Sequence, residues 1–178
     1  MSSPPTIAEI VAGSMRDVPD FPAPGVLFKD ITPLLADPAP FAAVIADMAG
    51  RHRGQCDLVA GIEARGFVIG AVLAHAMGVG FIPIRKAGKL PGKVTSISYD
   101  LEYGSATIEV HAEDIAAGSR VLLVDDILAT GGTAAAAWDL LESVGATVTG
   151  FETIIELAFL GGRSRLGDRS VHPLLTVS

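Results

Sequence analysis

Short runs of aliphatic residues alternate along the chain with segments whose apolar positions recur at helical spacing. Buried strands are predicted for the runs LVAGI, GFIPI, RVLLVD and TVTGFETIIEL, which occupy residues 58–62, 80–84, 120–125 and 147–157. Helices are predicted at residues 66–77 and 133–144, and residues 96–103 and 106–110 alternate between polar and apolar side chains. Strands that alternate with helices are typical of a parallel sheet with right-handed crossovers, so the pattern predicts an α/β fold.

The chain before residue 58 has a less regular pattern. Residues 6–15 predict a short helix, whereas the Pro-rich segment 21–35 predicts irregular structure. Asp37 followed by Pro38 is typical of a helix start, because aspartate caps free N–H groups and proline fits the first turn. The apolar stripe of that helix consists of Phe41, Val44, Ile45 and Met48.

Composition indicates one globular domain without a linker or repeat. The chain has 178 residues, of which 49% are hydrophobic and 19% charged. Its formal net charge of −7 argues against nucleic-acid binding, which usually requires a basic face. Cys56 is the only cysteine, which excludes an internal disulfide and fits a reducing, cytoplasmic location. We expect no membrane association, because no apolar run reaches about 18 residues and no signal peptide is visible.

The densest group of candidate chemistry follows the third buried strand. Asp125 and Asp126 stand at its carboxyl end, where ligands of open α/β sheets bind, and the loop ATGGT follows at residues 129–133. Glycines let this loop turn tightly, and its amides, threonine hydroxyls and following helix start favour a phosphate. Because the carboxylates repel phosphate but accept hydrogen bonds from a diol, the motif fits a ribose 5-phosphate.

Simpler interpretations of these residues stay open. An ordinary strand–loop–helix junction would also have an acidic rim, and a sugar-phosphate or nucleotide-binding protein of another α/β family would share the phosphate loop. The P-loop pattern is absent, and GVG at residues 78–80 precedes a strand, so it predicts no dinucleotide-binding motif. The four histidines are interpreted as structural or surface groups.

The hydrophobic strand, the DD pair and the TGGT-like loop resemble the hallmark of the type I phosphoribosyltransferases. Three further stretches resemble the adenine-specific members of that family, namely FPAPGVLFKDITPLL at 21–35, GIEARGF at 61–67, and RKAGKLPGK followed by YDLEYG at 85–93 and 99–104. The resemblance implies the type I phosphoribosyltransferase fold, with a largely parallel, twisted sheet flanked by helices. It also implies a single domain over residues 1–178, with an N-terminal hood over about residues 1–36 and a flexible lid loop over about residues 85–105.

The resemblance further implies a reaction. Adenine and phosphoribosyl pyrophosphate give AMP and pyrophosphate, which is a step of purine salvage. The resemblance also implies a homodimer, with Mg²⁺ bound mainly through the diphosphate of the substrate and water, without dedicated protein ligands. Magnesium suits this chemistry because it clamps diphosphates without a full protein cage.

The sugar phosphate is assigned to the central motif. The 5′-phosphate is expected on Ala129, Thr130, Gly131, Gly132 and Thr133. The ribose hydroxyls are expected at Asp125 and Asp126. The turn formed by Glu63, Ala64 and Arg65 also lies between a strand and a helix, and it is similar to the pyrophosphate loop of the family, where a non-proline cis peptide is common.

The lid is expected to contact the leaving group. Arg85, Lys86 and Lys89 belong to a basic loop that by resemblance neutralises pyrophosphate, although a solvated surface loop has the same composition. The resemblance places Glu102 and Tyr103 near this lid, where the matching glutamate of the family assists proton movement at purine N7. A surface glutamate near a turn is the simpler alternative for Glu102.

Other residues are expected at the base. By resemblance Leu27 contacts adenine through its backbone, and Arg65 is a catalytic residue that contacts the base, also through its backbone. A surface arginine at a helix start is the simpler alternative for Arg65. Lys29 stands where the family commonly has arginine, so it keeps the charge but loses the planar fork. Ala129 stands where related enzymes for hypoxanthine and guanine usually carry an aspartate, which argues against those bases and leaves xanthine open.

A regulator built on the same fold is an alternative from another class. Such proteins bind phosphoribosyl pyrophosphate without catalysis and usually carry a DNA-binding module before the core. About fifty residues precede the first predicted buried strand, which is too few for a hood and such a module together.

Overall fold

The computed structural model describes residues 3–100 and 104–178. The strands are β1 (Arg16–Pro19), β2 (Leu27–Asp30), β3 (Leu58–Ile62), β4 (Gly80–Lys86), β5 (Thr95–Asp100), β6 (Ser105–Val110), β7 (Arg120–Leu128), β8 (Thr147–Leu157) and β9 (Val171–Val177). The α-helices are α1 (Ile7–Gly13), α2 (Thr32–Ala36), α3 (Pro38–His52), α4 (Arg65–Met77), α5 (Gly132–Ser143) and α6 (Gly162–Leu166). Strand and helix alternate along β3, α4 and β4 and again along β7, α5 and β8, which confirms the predicted α/β fold.

The main sheet has the strand order β5–β6–β4–β3–β7–β8–β9. Strands β4, β3, β7, β8 and β9 run parallel, whereas β6 pairs antiparallel with both β4 and β5. The hairpin of β1 and β2 is a separate antiparallel pair. The predicted, largely parallel sheet is confirmed, and the carboxyl ends of β4, β3 and β7 lie side by side at its centre.

Several details differ from the sequence prediction. The Pro-rich segment predicted to be irregular contains β2 and most of α2. Strand β2 forms there because it pairs with β1, outside the main sheet. The strand predicted to end at Asp125 continues to Leu128, because β8 supplies paired residues up to Glu156. Arg85 and Lys86, expected in the basic loop, are the last residues of β4 and pair with β6. Strand β9, which lies at the sheet edge and contains a proline, has no counterpart among the predicted strands.

Alternate residues of the central strand β7 point into apolar cores on the two faces of the sheet. Leu123 lies in one core with Trp138 of α5. Leu122 lies in the other core with Met48 of α3 and Leu73 of α4. Because both faces are covered, β7 is a nearly continuous apolar run, and its carboxylates occur only towards the carboxyl end.

Helix α3 begins as the sequence predicts. The Asp37 side chain accepts a hydrogen bond of 3.1 Å from the backbone N–H of Ala39, and Pro38 is the first helical residue. At the other end of the helix, the His52 ring contacts the buried carboxylate of Glu152 at 2.6 Å, which agrees with a structural role for this histidine. Among the residues that the structure describes, no helix is long and apolar enough to cross a lipid bilayer.

Two glycines bring the start of α4 against the centre of the sheet. A Cβ atom at Gly66 would lie 2.8 Å from the carbonyl oxygen of Val124 and 3.2 Å from Oδ1 of Asp125. A Cβ atom at Gly61 would lie 2.5 Å from the carbonyl oxygen of Gly66. Because both side chains are hydrogen atoms, the first turn of α4 lies directly beside Asp125.

We expect alanine to destabilise the protein at Gly66 and to stabilise it at Gly50. Both positions are helical, so each substitution gains up to about 1 kcal/mol of helix propensity. Space is open at Gly50, whereas at Gly66 the methyl group would overpack the backbone of β7 at a cost of about 1–3 kcal/mol. Thermal unfolding of the two variants measures the difference, and equal melting temperatures would contradict the close approach of α4.

Candidate active site

Residues 129–133 form the turn between β7 and α5. Gly131 has a φ of 79°, a left-handed conformation that favours glycine, and Gly132 is the first residue of α5. Within the described ranges, no side chain caps this helix start. Its first N–H groups and the positive end of the helix dipole are therefore oriented to bind an anion.

The turn rests directly on the start of α6. A Cβ atom at Gly131 would collide with the carbonyl oxygen of Gly162, and a Cβ atom at Gly162 would collide with that of Ala129. The two backbone segments are thus in contact with no side chain between them. Sequence reasoning missed Gly162, whose contact depends on α6 returning to the end of β7.

Two neighbouring cavities open at the carboxyl ends of β3, β4 and β7. A cavity of about 160 Å³ lies beside the turn and is lined by Asp125 and residues 127–134. A second cavity of about 340 Å³ shares Asp125 and Thr133, and its other polar lining residues are Glu63, Lys86 and Tyr99. Ligand pockets commonly measure about 300–1,000 Å³, so the second cavity alone has the size that a small ligand needs. The two neighbouring cavities together form one recess at the end of the sheet.

The two aspartates of the motif face different surroundings. Asp125 lines both cavities, and its Oδ1 accepts a hydrogen bond of 2.8 Å from the backbone N–H of Asp126. The side chain of Asp126, the next residue along β7, points to the opposite face of the sheet. There it is buried and forms an ion pair with Arg65. Burial and the negative charge of Asp126 raise the pKa of Asp125 well above its ordinary value.

Arg65 links the hood to the main sheet. It is the first residue of α4, and its guanidinium lies 5.5 Å from the ring centroid of Phe28 in β2 while it pairs with Asp126. Leu27, beside Phe28, is 50% exposed. The Lys29 ammonium forms an ion pair of 2.8 Å with Asp17 across the hairpin. The described linings of the two cavities include neither Leu27 nor Lys29.

Glu63 is held by the end of β4. Its carboxylate accepts hydrogen bonds from the backbone N–H of Lys86 at 3.0 Å and from Nη2 of Arg85 at 3.3 Å. The hydrogen bond from the backbone of Lys86, and to a smaller extent that from the Arg85 side chain, lower the pKa of Glu63. The peptide bond between Glu63 and Ala64 is cis, as the sequence resemblance implies. Ala64 is exposed and directly precedes α4.

The basic loop is organised by a buried carboxylate that sequence reasoning missed. Glu109 of β6 is 4% exposed and accepts backbone N–H hydrogen bonds from Gly88, Lys89 and Leu90 at 3.1, 2.9 and 2.7 Å. These hydrogen bonds, with that of Leu90 the strongest, lower the pKa of Glu109. Nη1 of Arg85 donates to the carbonyl oxygen of Lys89 at 2.9 Å. In the alternating pattern of β6, Glu109 stands at a polar position, as Thr107 does, so the sequence does not distinguish it from a solvent-facing glutamate.

Some of the predicted site residues are brought together and others are not. Glu63, Lys86, Asp125 and Thr133 share one cavity, and Ala129, Thr130, Gly131 and Gly132 line the adjoining one. The predicted residues Glu102 and Tyr103 lie outside the described residues. Tyr99, just before them, was not predicted as a site residue, yet its hydroxyl lies 3.0 Å from Oγ1 of Thr133.

Comparison with known proteins shows similarity along nearly the whole chain. The family model of the phosphoribosyl transferase domain matches residues 33–171. A protein of Salinispora tropica named adenine phosphoribosyltransferase is 59% identical over 171 residues, which cover 96% of this chain and 91% of that protein. A protein of Streptomyces coelicolor with the same name is 59% identical over 184 residues, which cover 99% of this chain and 100% of that protein.

Solved structures show the same similarity. The adenine phosphoribosyltransferase of Thermoanaerobacter pseudethanolicus has a TM-score of 0.92 and 44% identity, with coverage of 96% of this chain and 99% of that chain. The enzyme of Saccharomyces cerevisiae was solved with an imino-altritol bisphosphate and adenine. It has a TM-score of 0.91 and 41% identity, with coverage of 95% of this chain and 98% of that chain.

We expect Glu109→Ala to loosen the basic loop. The amides of residues 88–90 lose the anionic acceptor that they share, and hydrogen bonds to charged groups are stronger than those to neutral groups. Hydrogen exchange of these amides should accelerate roughly 10- to 100-fold. The exposed neighbour Glu113 provides the control, because Glu113→Ala should leave their exchange unchanged. Equal protection in the Glu109→Ala protein would refute the role of this carboxylate.

We expect Asp125→Asn to raise the melting temperature of the ligand-free protein at pH 7. A carboxyl group whose pKa is raised by folding weakens the folded state above its unfolded-state pKa of about 3.9, and a neutral amide removes this effect. The gain should therefore shrink as the pH falls from 7 towards 4.5. Exposed Asp168→Asn is the control and should show no such trend. A pH-independent gain, or a loss at pH 7, would contradict the interpretation.

Proposed function

Because the chain belongs to the phosphoribosyltransferase family, we infer that it transfers the phosphoribosyl group of phosphoribosyl pyrophosphate to adenine and releases AMP and pyrophosphate. A bond forms between purine N9 and the anomeric carbon of ribose, and the bond from that carbon to the pyrophosphate oxygen breaks with its electron pair on the pyrophosphate. The N–H proton of the imidazole ring of adenine is released in the same reaction. The observation that carries the proposal is the recess in which Asp125 and the uncapped turn before α5 face one cavity. Relatives of about 60% identity with this activity in their names support the same reaction.

The 5′-phosphate binds to the turn formed by residues 129–133. Free amides at the start of α5 and the hydroxyls of Thr130 and Thr133 donate hydrogen bonds to its oxygens. Binding this group, which does not react, fixes the position of the anomeric carbon. Positioning of this kind lowers the entropic cost of the transfer.

The ribose hydroxyls bind to the carboxylate side of the recess. Asp125 accepts their hydrogen bonds directly, because it lines both cavities. Asp126 is the proposed second acceptor, a role that requires its carboxylate to leave the ion pair with Arg65 on the far side of β7. The two negative charges lie near the anomeric carbon, where positive charge develops as the leaving group departs.

The pyrophosphate is held between the start of α4 and the basic loop. Glu63, Ala64 and Arg65 form the turn that presents backbone groups to it, and Arg85, Lys86 and Lys89 supply positive charge. These cations stabilise the negative charge that develops on the departing pyrophosphate, and closure of the loop excludes water.

Magnesium is the proposed cofactor. Asp125 and Glu63 bring carboxylate oxygens, the donor type that Mg²⁺ prefers, to the larger cavity. Substrate oxygens and water are the proposed source of most of its ligands, because Mg²⁺ keeps several waters and binds diphosphates without a full protein cage. When bound, Mg²⁺ neutralises the diphosphate of the substrate.

Adenine binds beneath the hood. Leu27 and its neighbours supply apolar surface for the flat ring and backbone groups for its edge, with Arg65 on the other side. Lys29 supports the hood through its ion pair with Asp17 rather than by reading the base. Glu102 assists proton movement at purine N7, a general acid–base role that contributes about 10²–10⁴-fold.

The proposed assembly is a homodimer in the cytoplasm. Val68 and Val72, one turn apart on α4, are 46% and 39% exposed and give that helix an apolar outer face for a second subunit. The single, buried Cys56 suits a reducing compartment.

Turnover with individual purines tests the proposal. With Mg²⁺ and phosphoribosyl pyrophosphate, we expect AMP from adenine and no nucleotide from hypoxanthine, guanine or xanthine, as measured by chromatography. Asp125→Asn should lower the rate at least about 100-fold, because an amide stabilises developing positive charge poorly, whereas Asp168→Asn should not change it. Product from xanthine without product from adenine would overturn the base assignment, and substrate binding without turnover would indicate a regulator.

A further inference from the structure

A tyrosine that the sequence did not predict as a site residue contacts the phosphate turn. The Tyr99 hydroxyl in β5 lies 3.0 Å from Oγ1 of Thr133, the last residue of the turn. Both side chains line the larger cavity. This hydrogen bond connects the antiparallel hairpin of β5 and β6 to the start of α5, two segments that are 34 residues apart in sequence.

The position of the tyrosine ring is fixed by apolar neighbours. Tyr99 is half-buried and packs, together with Ile97, against the core beneath α5. A Cβ atom at Gly132 would lie 3.7 Å from Cδ2 of Tyr99, so the ring also lies against the first residue of α5. The hydroxyl is therefore placed by packing that phenylalanine would preserve.

The hydroxyl chemistry gives this contact a direction. Threonine has one O–H donor and two acceptor lone pairs, and the phenol of tyrosine can donate or accept. If Thr133 donates to a bound phosphate, its oxygen is free to accept from Tyr99. A chain of donors that ends on an anion is strengthened by polarisation along the chain and by the charge of the acceptor.

We propose that Tyr99 is a positioning residue that donates a hydrogen bond to Thr133 and so directs the Thr133 hydroxyl towards the 5′-phosphate of the ribosyl substrate. This inference rests on the proposed function, in which the turn holds that phosphate. It makes the β5–β6 hairpin part of the phosphate site.

The test compares Tyr99→Phe with the wild-type enzyme. A net hydrogen bond of about 0.5–1.5 kcal/mol corresponds to a 2- to 13-fold change, so the KM for phosphoribosyl pyrophosphate should rise by that factor. The value of kcat and the KM for adenine should stay within twofold, because the contact is the same in the ground and transition states. In calorimetry, the Kd of ribose 5-phosphate should rise by the same factor and that of pyrophosphate should not change.

A matched control and a double-mutant cycle isolate the contact. Ser98→Ala removes the neighbouring hydroxyl of β5, which contacts Thr107 at 2.7 Å on the other face, and it should leave all these constants unchanged. In a Thr133→Val background, Tyr99→Phe should have no further effect on ribose 5-phosphate binding. Equal effects of Tyr99→Phe and Ser98→Ala, additivity in the cycle, or unchanged ribose 5-phosphate affinity would each overturn the inference. Absence of AMP formation by the wild-type protein would instead overturn the proposed function.

Discussion

A carboxylate held beside an anion-binding turn is the constraint on which the rest of the site depends. Asp125 and residues 129–133 line the same small cavity, although burial and the charge of Asp126 raise the pKa of Asp125, and its negative charge repels a neighbouring phosphate. The surrounding structure offsets this cost. Pairing of β7 with β8 continues beyond Asp125, the N–H of Asp126 donates to its carboxylate, and the glycine at residue 66 lets α4 begin close by.

Close contact between two backbone segments supports the turn at residues 129–133. Gly131 lies against the backbone of Gly162, so the turn is supported from behind without any side chain between them. Its free amides consequently stay directed towards the cavity. Support by backbone alone prepares the anion site before any ligand arrives, which is the condition for electrostatic stabilisation without reorganisation.

Three cations near the proposed site are paired with carboxylates of the protein. Arg65 pairs with Asp126, Arg85 with Glu63, and Lys29 with Asp17. In a chain with a net charge of −7, a negatively charged substrate gains little from the overall field and depends on these local donors.

The sequence alone determined the α/β class, the strands that are buried on both faces, the start of α3 and the glycine turn between β7 and α5. Each is encoded by neighbouring residues, either as a hydrophobic period or as the turn chemistry of glycine, proline and aspartate. Only the tertiary structure decided that β2 pairs with β1, that Asp125 faces the cavity while Asp126 faces Arg65, and that Glu109 and Tyr99 support the site. These features depend on strand register and on contacts between residues far apart in the chain, and no local pattern of side chains specifies either.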